Sequence, residues 1–447
     1  MTIHNDKSLN ISPNVLRSVG ILAAAAAMPV HAAGTDKIKV GLLGCGGRGS
    51  GAIRQCLDAD PGIEVIAVAD LFEKKAKGQR DSLMKEKKYQ GRINIKDDHV
   101  FSGFDCHLKL AQTECDLLVM ATAPAFRGRQ MMAAVTAPKP KHIFTEKPVA
   151  TDVAGCKLVM EAGKIAAQKK LAIVCGTQRR HEFSRVELFK RIHEGEIGEL
   201  VGGQCYWYGG GIWYRGMDKN VKEDMSELEW QCHNWYHFTW LSGDQICEQH
   251  IHNIDVMNWC FNGPPKKFTA VGGRNCRDYS KQAKEVCLAI TGKEDGWEKY
   301  NGNIYDHIFA ELEYPNGARC LSFSGHGPGN GRSGEKIVGT KGISDCSHSI
   351  TGEKPWSFQG KSVNGQEQEH IDMIQSIRAG LPLNDAQRIA ESTLTCIGAR
   401  IAAYTGKSFQ WDWLLNASKQ DLVVPHDQLK PGPGHFEKIA NGAEELV

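Results

Sequence analysis

Hydrophobic positions follow two regimes along the chain. Between residues 37 and 175, short apolar runs alternate with longer amphipathic stretches. Lys37–Leu43, Glu64–Ala69, Asp116–Ala121, His142–Thr145 and Leu171–Cys175 read as buried strands. The stretches following Ser50, from Phe126 to Ala137 and from Asp152 to Lys169 read as helices, the last with Asp152 as N-cap and Lys169-Lys170 at its C-terminal end. Repeated strand–helix units predict a doubly wound parallel sheet, whose ligand crevice opens at the strand C-termini. From Glu199 the period shortens to two. Leu200–Tyr208, Lys267–Gly272, Tyr305–Tyr314, Ala318–Phe323 and Lys336–Gly339 read as strands, with turn chemistry at Tyr314-Pro-Asn-Gly317 and Gly339-Thr-Lys-Gly342. Helical patterns return over residues 368–380 and 386–406.

Composition narrows the function classes. The chain has 54 Lys and Arg against 52 Asp and Glu, a net charge of +2, so no global field recruits nucleic acid or an acidic membrane. The basic stretch Glu73–Lys88 reads as a solvated helix face. Fifteen scattered cysteines, an odd number with no Cys-x-x-Cys, read as buried free thiols and not as a disulfide framework or zinc site. Residues 1–33 stand apart. Lys7 and Arg17 precede the apolar run Val19–Val30 and then His31-Ala-Ala-Gly34, the parts of an export signal. An exported, periplasmic location is therefore expected, with an uncleaved tail on a cytoplasmic protein as the alternative. The run is too short for a membrane span, which needs roughly 20 apolar residues.

The most specific chemistry sits at the ends of the first strands. Lys37–Leu43 leads directly into Gly44-Cys-Gly46-Gly47-Arg48-Gly49, a G-x-G-x-x-G turn opening a helix. Gly44 permits the tight turn, Gly46 lets the backbone approach a pyrophosphate, and Gly49 allows helix and strand to pack closely. The diphosphate charge then sits on the helix N-terminus. Asp70 ends the second strand at the spacing expected of a carboxylate that binds the adenosine ribose and repels a 2′-phosphate. This favours NAD over NADP, although Lys74 and Lys75 stand nearby. Thr122-Ala-Pro124, Glu146-Lys147-Pro148 and Gln178-Arg-Arg-His181 also fall at strand ends.

The glycine turn, Ala121-Thr-Ala-Pro124 and Thr145-Glu-Lys-Pro-Val-Ala150, in that order, resemble the Gfo/Idh/MocA family of oxidoreductases, over about Lys37 to Trp413. The resemblance implies an N-terminal Rossmann domain over residues 37–180. It implies an α+β substrate and oligomerisation domain over 181–365, with a large, mostly antiparallel sheet. Helices of residues 366–413 are expected to pack near the first domain, followed by an extension over 414–447. It also implies that Gly44, Gly46, Gly47, Arg48, Gly49, Asp70, Thr122, Pro124, Glu146 and Lys147 bind the cofactor, with Lys147 beside the nicotinamide and the reacting oxygen. The family's Asp-x-x-x-His appears as Glu248-x-x-x-His252. On one continuous helix this spacing lets the carboxylate orient His252, the expected general base. His250, His252 and Asp255 do not read as a metal site, because residues 250 and 252 face different ways on a helix.

Arg180, His181, Tyr305 and His307 are expected to contact substrate hydroxyls or carboxylates. Aromatic residues crowd between Tyr206 and Trp240, a pattern suited to sugar faces and equally to ordinary core. The reading is an NAD-dependent oxidoreductase passing hydride between a sugar, cyclitol or sugar acid and a tightly bound cofactor. It is expected to form a homo-oligomer, a dimer or tetramer. The rival readings are an NAD-dependent glycosidase or lyase that oxidises a hydroxyl transiently, and an NAD-binding sensor or scaffold without turnover.

Overall fold

A computed structural model describes residues 37–216, 225–327, 329, 331–422, 425 and 428–432. The export-type segment 1–33 and residues 433–447 of the extension lie outside them. The first sheet has six strands: β1 Ile38–Leu43, β2 Ile63–Asp70, β3 Val100–Ser102, β4 Leu117–Met120, β5 His142–Thr145 and β6 Ile173–Cys175. All its pairings are parallel, in the order β3-β2-β1-β4-β5-β6. Helices α1 Gly47–Ala59, α2 Glu73–Lys85, α3 Cys106–Ala111, α4 Pro124–Thr136 and α5 Val153–Gln168 make the crossovers. The central strands are covered on both faces, which is why they are near-continuous apolar runs; all eight residues of β2 are buried. Asp152 caps α5, its Oδ1 accepting from Gly155 N at 2.7 Å. Chain order reverses between β1 and β4, and the crevice forms there.

The second half contains α6 Phe183–His193, β7 Leu200–Gly209, α7 Glu227–His233, α8 Thr239–Ser242, α9 Gln245–Glu248 and α10 Ile251–Cys260. It continues with β8 Lys267–Gly273, α11 Ser280–Thr291, α12 Glu298–Asn301, β9 His307–Glu313, β10 Arg319–His326 and β11 Arg332–Gly339. Short strands β12 Gly342–Ser344, β13 Ser349–Gly352 and β14 Trp356–Ser357 follow. The described chain closes with α13 Gly365–Arg378, α14 Ala386–Thr405, β15 Phe409–Gln410 and α15 Trp411–Asn416. The second sheet has nine strands in the order β14-β13-β12-β11-β7-β10-β9-β8-β15, antiparallel except for the β7–β10 pair. Alternation along β9 buries Ile308, Ala310 and Leu312 and leaves Phe309 outward.

Two helices tie the halves together. Met373 and Ile374 of α13 share a core with Ile53, Cys56 and Leu57 of α1. Helix α14 lies on α5 so closely that a Cβ at Gly163 would come within 2.5 Å of the Ala386 Cβ. One expectation is corrected. The stretch 241–259 is not a single helix: Gly243 and Asp244 both have φ of +78°, ending α8, and a further break at residues 249–250 separates α9 from α10. A left-handed glycine is a common helix terminator. Asp244 tolerates the same conformation because its buried carboxylate collects the amides of Gln245 and Tyr305 and the Tyr404 hydroxyl.

Candidate active site

The glycine turn is shaped for a phosphate-bearing ligand. Gly44 has φ +95°, and a Cβ there would lie 2.7 Å from the Ala121 carbonyl carbon. A Cβ on Gly49 would lie 1.8 Å from the Gly44 oxygen, so only glycine permits this contact between α1 and the turn. Around Gly46 and Gly47, by contrast, a Cβ would meet nothing within 4 Å. Gly46 is the N-cap of α1 and supplies no side chain to its first amides, which leaves that helix end open to an anion. Asp70 is held at the rim, its Oδ2 accepting from Cys45 N at 2.7 Å and its Oδ1 from Phe72 N at 2.9 Å, with lone pairs left for ribose hydroxyls.

A cleft of about 880 Å3, partly open to solvent, runs from Gly44 and Gly46 past Asp70 to Phe72 and Lys75. Lys75 sits over the Phe72 ring at 4.7 Å, whereas Lys74 points outward. The open cradle, the bare helix end and the placed carboxylate fit a dinucleotide. Thr122 at the end of β4 also lines the cleft, its Oγ1 donating to Gln130 Oε1 at 2.6 Å, and Pro124 starts α4.

Arg48 and Glu146, both expected at the cofactor, pair with each other, Arg48 Nε donating to Glu146 Oε1 at 2.5 Å. The Arg48 guanidinium also donates to Gln55 Oε1 at 2.8 Å and reaches Glu369 Oε1 on α13 at 3.4 Å. Gly176 after β6 makes room, since a Cβ there would lie 2.6 Å from Glu146 Oε1. Buried Arg127 on α4 ties the strand ends together by donating to the carbonyl oxygens of Thr122, Glu146 and Pro148.

Those ties fix Lys147 at the end of β5. Its Nζ donates to the Glu248 carbonyl oxygen at 2.5 Å and lies 3.4 Å from Glu248 Oε1. Glu248 therefore pairs with the lysine and not with His252, because the helix break places the two residues on different segments. Glu248 Oε2 is buried without a partner. Burial pushes the Glu248 carboxyl above its ordinary range, against the pull of Lys147 and Arg127. His252, half-buried near Trp207, is driven well below its usual value by burial and then by the cations of Lys147 and Arg179. Its imidazole is thus neutral at physiological pH and free to accept a proton.

Residues 38–175 match a family described as "Oxidoreductase family, NAD-binding Rossmann fold", and residues 186–344 match the C-terminal domain of the same family. The chain belongs to the Gfo/Idh/MocA family. Among its Gfo/Idh/MocA relatives is the inositol 2-dehydrogenase of Salmonella typhimurium, 27% identical over 227 residues, 50% of this chain and 55% of that protein. The chain thus spans about half the length of the curated relatives it matches. In fold it is similar to scyllo-inositol dehydrogenase from Lactobacillus casei, with TM-score 0.58 and 17% identity over 84% of this chain and 98% of that one. It is also similar to the WlbA dehydrogenase from Bordetella pertussis, solved with NADH and UDP-GlcNAcA, with TM-score 0.59 and 19% identity over 84% and 98%.

In this Gfo/Idh/MocA protein the four expected substrate contacts each have partners within the chain. Arg180 binds Asp255 through Nε at 2.8 Å and Nη2 at 3.1 Å, and its guanidinium stacks on Trp259 at 4.6 Å. Asp255 also accepts from Arg388 and Ser392; although burial opposes it, the cations of Arg180 and Arg388 hold the carboxylate well below its usual range. His181 Nδ1 pairs with Asp372 Oδ2 at 2.5 Å. Tyr305 packs on Tyr404 with ring centroids 4.2 Å apart and the rings tilted by 37°, and His307 Nδ1 meets Asp306 Oδ1 at 2.6 Å.

Arg179, one position before Arg180, is instead among the cations acting on His252, its guanidinium anchored to Glu335. The run Gln178-Arg-Arg-His181 pointed to the right segment but carried no sign of which arginine faces inward. The aromatic cluster divides. Trp230 and Trp240 are fully buried core, while Trp207 lies beside His252 and Tyr236 donates toward or accepts from His326 Nε2 at 3.2 Å. Among the described residues no group of three or more His, Cys, Asp or Glu is placed to hold a metal, and no helix is long and apolar enough to cross a membrane.

Proposed function

We propose that this Gfo/Idh/MocA protein is an NAD-dependent dehydrogenase of a sugar, cyclitol or sugar acid. The observation that carries the reading is Lys147, fixed at the end of β5 next to the Glu146 that pairs with Arg48 of the glycine turn, and close enough to His252 to help hold that imidazole neutral. When bound, NAD supplies the two-electron redox partner at its nicotinamide ring. Lys147 Nζ holds the reacting oxygen and stabilises the negative charge that develops on it. His252 takes the hydroxyl proton at its ring nitrogen during oxidation and returns it during reduction. Trp207, beside His252, offers a flat face with a polar edge to a polyhydroxylated ring. Denaturing the purified protein and identifying released nucleotide by mass spectrometry tests the cofactor assignment: NAD or NADH is expected, and a protein with neither bound NAD nor affinity for it contradicts the reading.

A second reading, an NAD-dependent glycosidase or lyase, is favoured by Glu248. Burial shifts the Glu248 carboxyl upward, toward the protonated form that a leaving oxygen needs, and its Oε2 is without a partner. Release of the aglycone from aryl glycosides, dependent on bound NAD, distinguishes this reading from simple dehydrogenation.

The reading extends to assembly and location. Val271, Phe309 and Phe323 lie opposite one another on β8, β9 and β10 and are 64%, 36% and 49% exposed, an apolar row suited to burial in a homo-oligomer. Export is supported by the pattern of residues 1–33, and burial of fourteen of the fifteen thiols would shield them in an oxidising compartment. N-terminal sequencing of the native protein tests it, with cleavage near residue 33 expected and retention of Met1 contradicting it.

A further inference from the structure

The dinucleotide cleft is not built by the nucleotide-binding half alone. Besides Asp70 and Phe72 it is lined by Cys232 and Trp235, at and just after the end of α7, and by Leu429 of the C-terminal segment. Leu429 is separated from the glycine turn by more than 380 positions, yet it is only 9% exposed. It shares an apolar cluster with Leu228 and Cys232, against which Leu71, Phe72 and Phe104 of the cleft wall pack. Phe72 also meets His233 of α7 edge to face at 6.0 Å.

Residues on either side of Leu429 are tied to other elements. On one side Leu422 N donates to Asp152 Oδ2 at 2.6 Å, and Arg400 donates to Gln420 Oε1 at 3.0 Å. On the other, Leu228 N donates to Gly432 O at 3.2 Å, joining Gly432 to the first turn of α7. Helix α7 is itself fixed by a capping box, with Ser226 and Glu229 each bonding the other's backbone amide. Leu422, Gln420 and Gly432 are thus tied to three separate elements, the start of α5, α14 and α7.

We propose that this wall, Trp235 and Leu429 above all, is part of the cofactor site and encloses the adenosine end of NAD, so that the dinucleotide stays bound through successive turnovers. The proposal rests on the cofactor reading above. Asp70 marks the adenosine end, because the carboxylate after the second strand is the group placed to bind that ribose. An apolar cover at this end adds dispersion and buried area to the bound state without touching the reacting end. Its removal shows in the dissociation rate, which is where affinity changes within one site mostly fall.

Exchange of bound nucleotide for isotopically labelled NAD, followed by rapid filtration and mass spectrometry, tests the wall without relying on turnover. The wild-type holoprotein is expected to exchange more slowly than it turns over. Leu429→Ser, Trp235→Ala and a chain ended before Gln428, which keeps the Leu422 anchor, are each expected to release NAD roughly 10- to 100-fold faster, the loss of one or two buried apolar side chains. Circular dichroism and thermal melting of the nucleotide-free proteins identify any variant that fails to fold, and the mild Leu429→Ser substitution keeps the comparison available if the truncation does. Wild-type exchange faster than turnover, or folded variants that exchange at the wild-type rate, overturns the proposal while leaving the NAD assignment standing. Failure of the wild-type protein to bind NAD at all overturns the cofactor reading itself, and the wall with it.

Discussion

Lys147, Glu248 and His252 share one small region, and burial acts on their charges in different ways. The lysine is positioned by two contacts to Glu248, the glutamate is pushed toward its neutral form, and the histidine is pushed toward its own neutral form. A neutral imidazole beside a cationic lysine is the combination that proton removal from a hydroxyl needs. Lys147→Ala is expected to reduce kcat by about 100- to 1,000-fold while bound NAD is retained. Steady-state kinetics beside nucleotide content measures both. The pH dependence follows from the direction of the His252 shift. A base lowered below 6.5 stays unprotonated further into acid, so the acid limb of kcat/KM for oxidation should fall below the ordinary imidazole range. His252→Asn should remove that limb along with most of the rate; a limb at or above 6.5 would assign the proton to another group. At this scale the sequence was informative where residue type and motif coincide, as at Gly44, Gly49, Asp70 and Lys147. It was silent where orientation decides. Arg179 and Arg180 are adjacent and chemically identical, and only the packing of Asp255 and Glu335 sends one to each side.

Between elements, the Arg48–Glu146–Glu369 group joins α1, the end of β5 and α13 behind the glycine turn. Burial and the neighbouring Glu146 push Glu369 well above its ordinary value, toward its neutral form. Two outcomes follow. Glu369→Gln keeps the neutral character and shape of that side chain and should alter the melting temperature little. Arg48→Ala leaves the buried Glu146 carboxylate without its cation and should cost about 3–5 kcal/mol, read as lowered thermal stability. Equal effects of the two substitutions would contradict the charge assignment. The strands and helices of the first half were legible because each is a long run with a single period. The break at Gly243 and Asp244 was not, since it depends on Asp244 reaching Tyr305 and Tyr404, distant in sequence. The docking of α13 on α1 is likewise a tertiary event that neither helix announces.

At the scale of the molecule, a nine-stranded sheet presents helices α10 and α14 on one face and an apolar row on the other. The alternating pattern of β8 to β10 disclosed both faces, but nothing local distinguishes an outward Phe323 that meets solvent from one that meets another copy of the chain. If the row lies in a homo-oligomer interface, Phe323→Lys should shift the species in light scattering coupled to size exclusion toward monomer while leaving the far-ultraviolet spectrum unchanged. An unaltered oligomer, or a wild-type monomer, would exclude that face. The same scale governs the cofactor, because the cleft draws its walls from both halves and the C-terminal segment. The account as a whole stands on the claim that NAD bound in this cleft is reduced by a polyhydroxylated substrate held at Lys147 and His252. The direct measurement is a near-ultraviolet spectrum of the holoprotein mixed with cyclitols, aldoses and aldonic acids in turn. Appearance of the reduced-nicotinamide band with at least one of them in the wild type, and its absence in Lys147→Ala carrying the same amount of NAD, is the predicted result. A holoprotein whose NAD stays oxidised with every one of them, or a Lys147→Ala variant reduced as fast as the wild type, would contradict it.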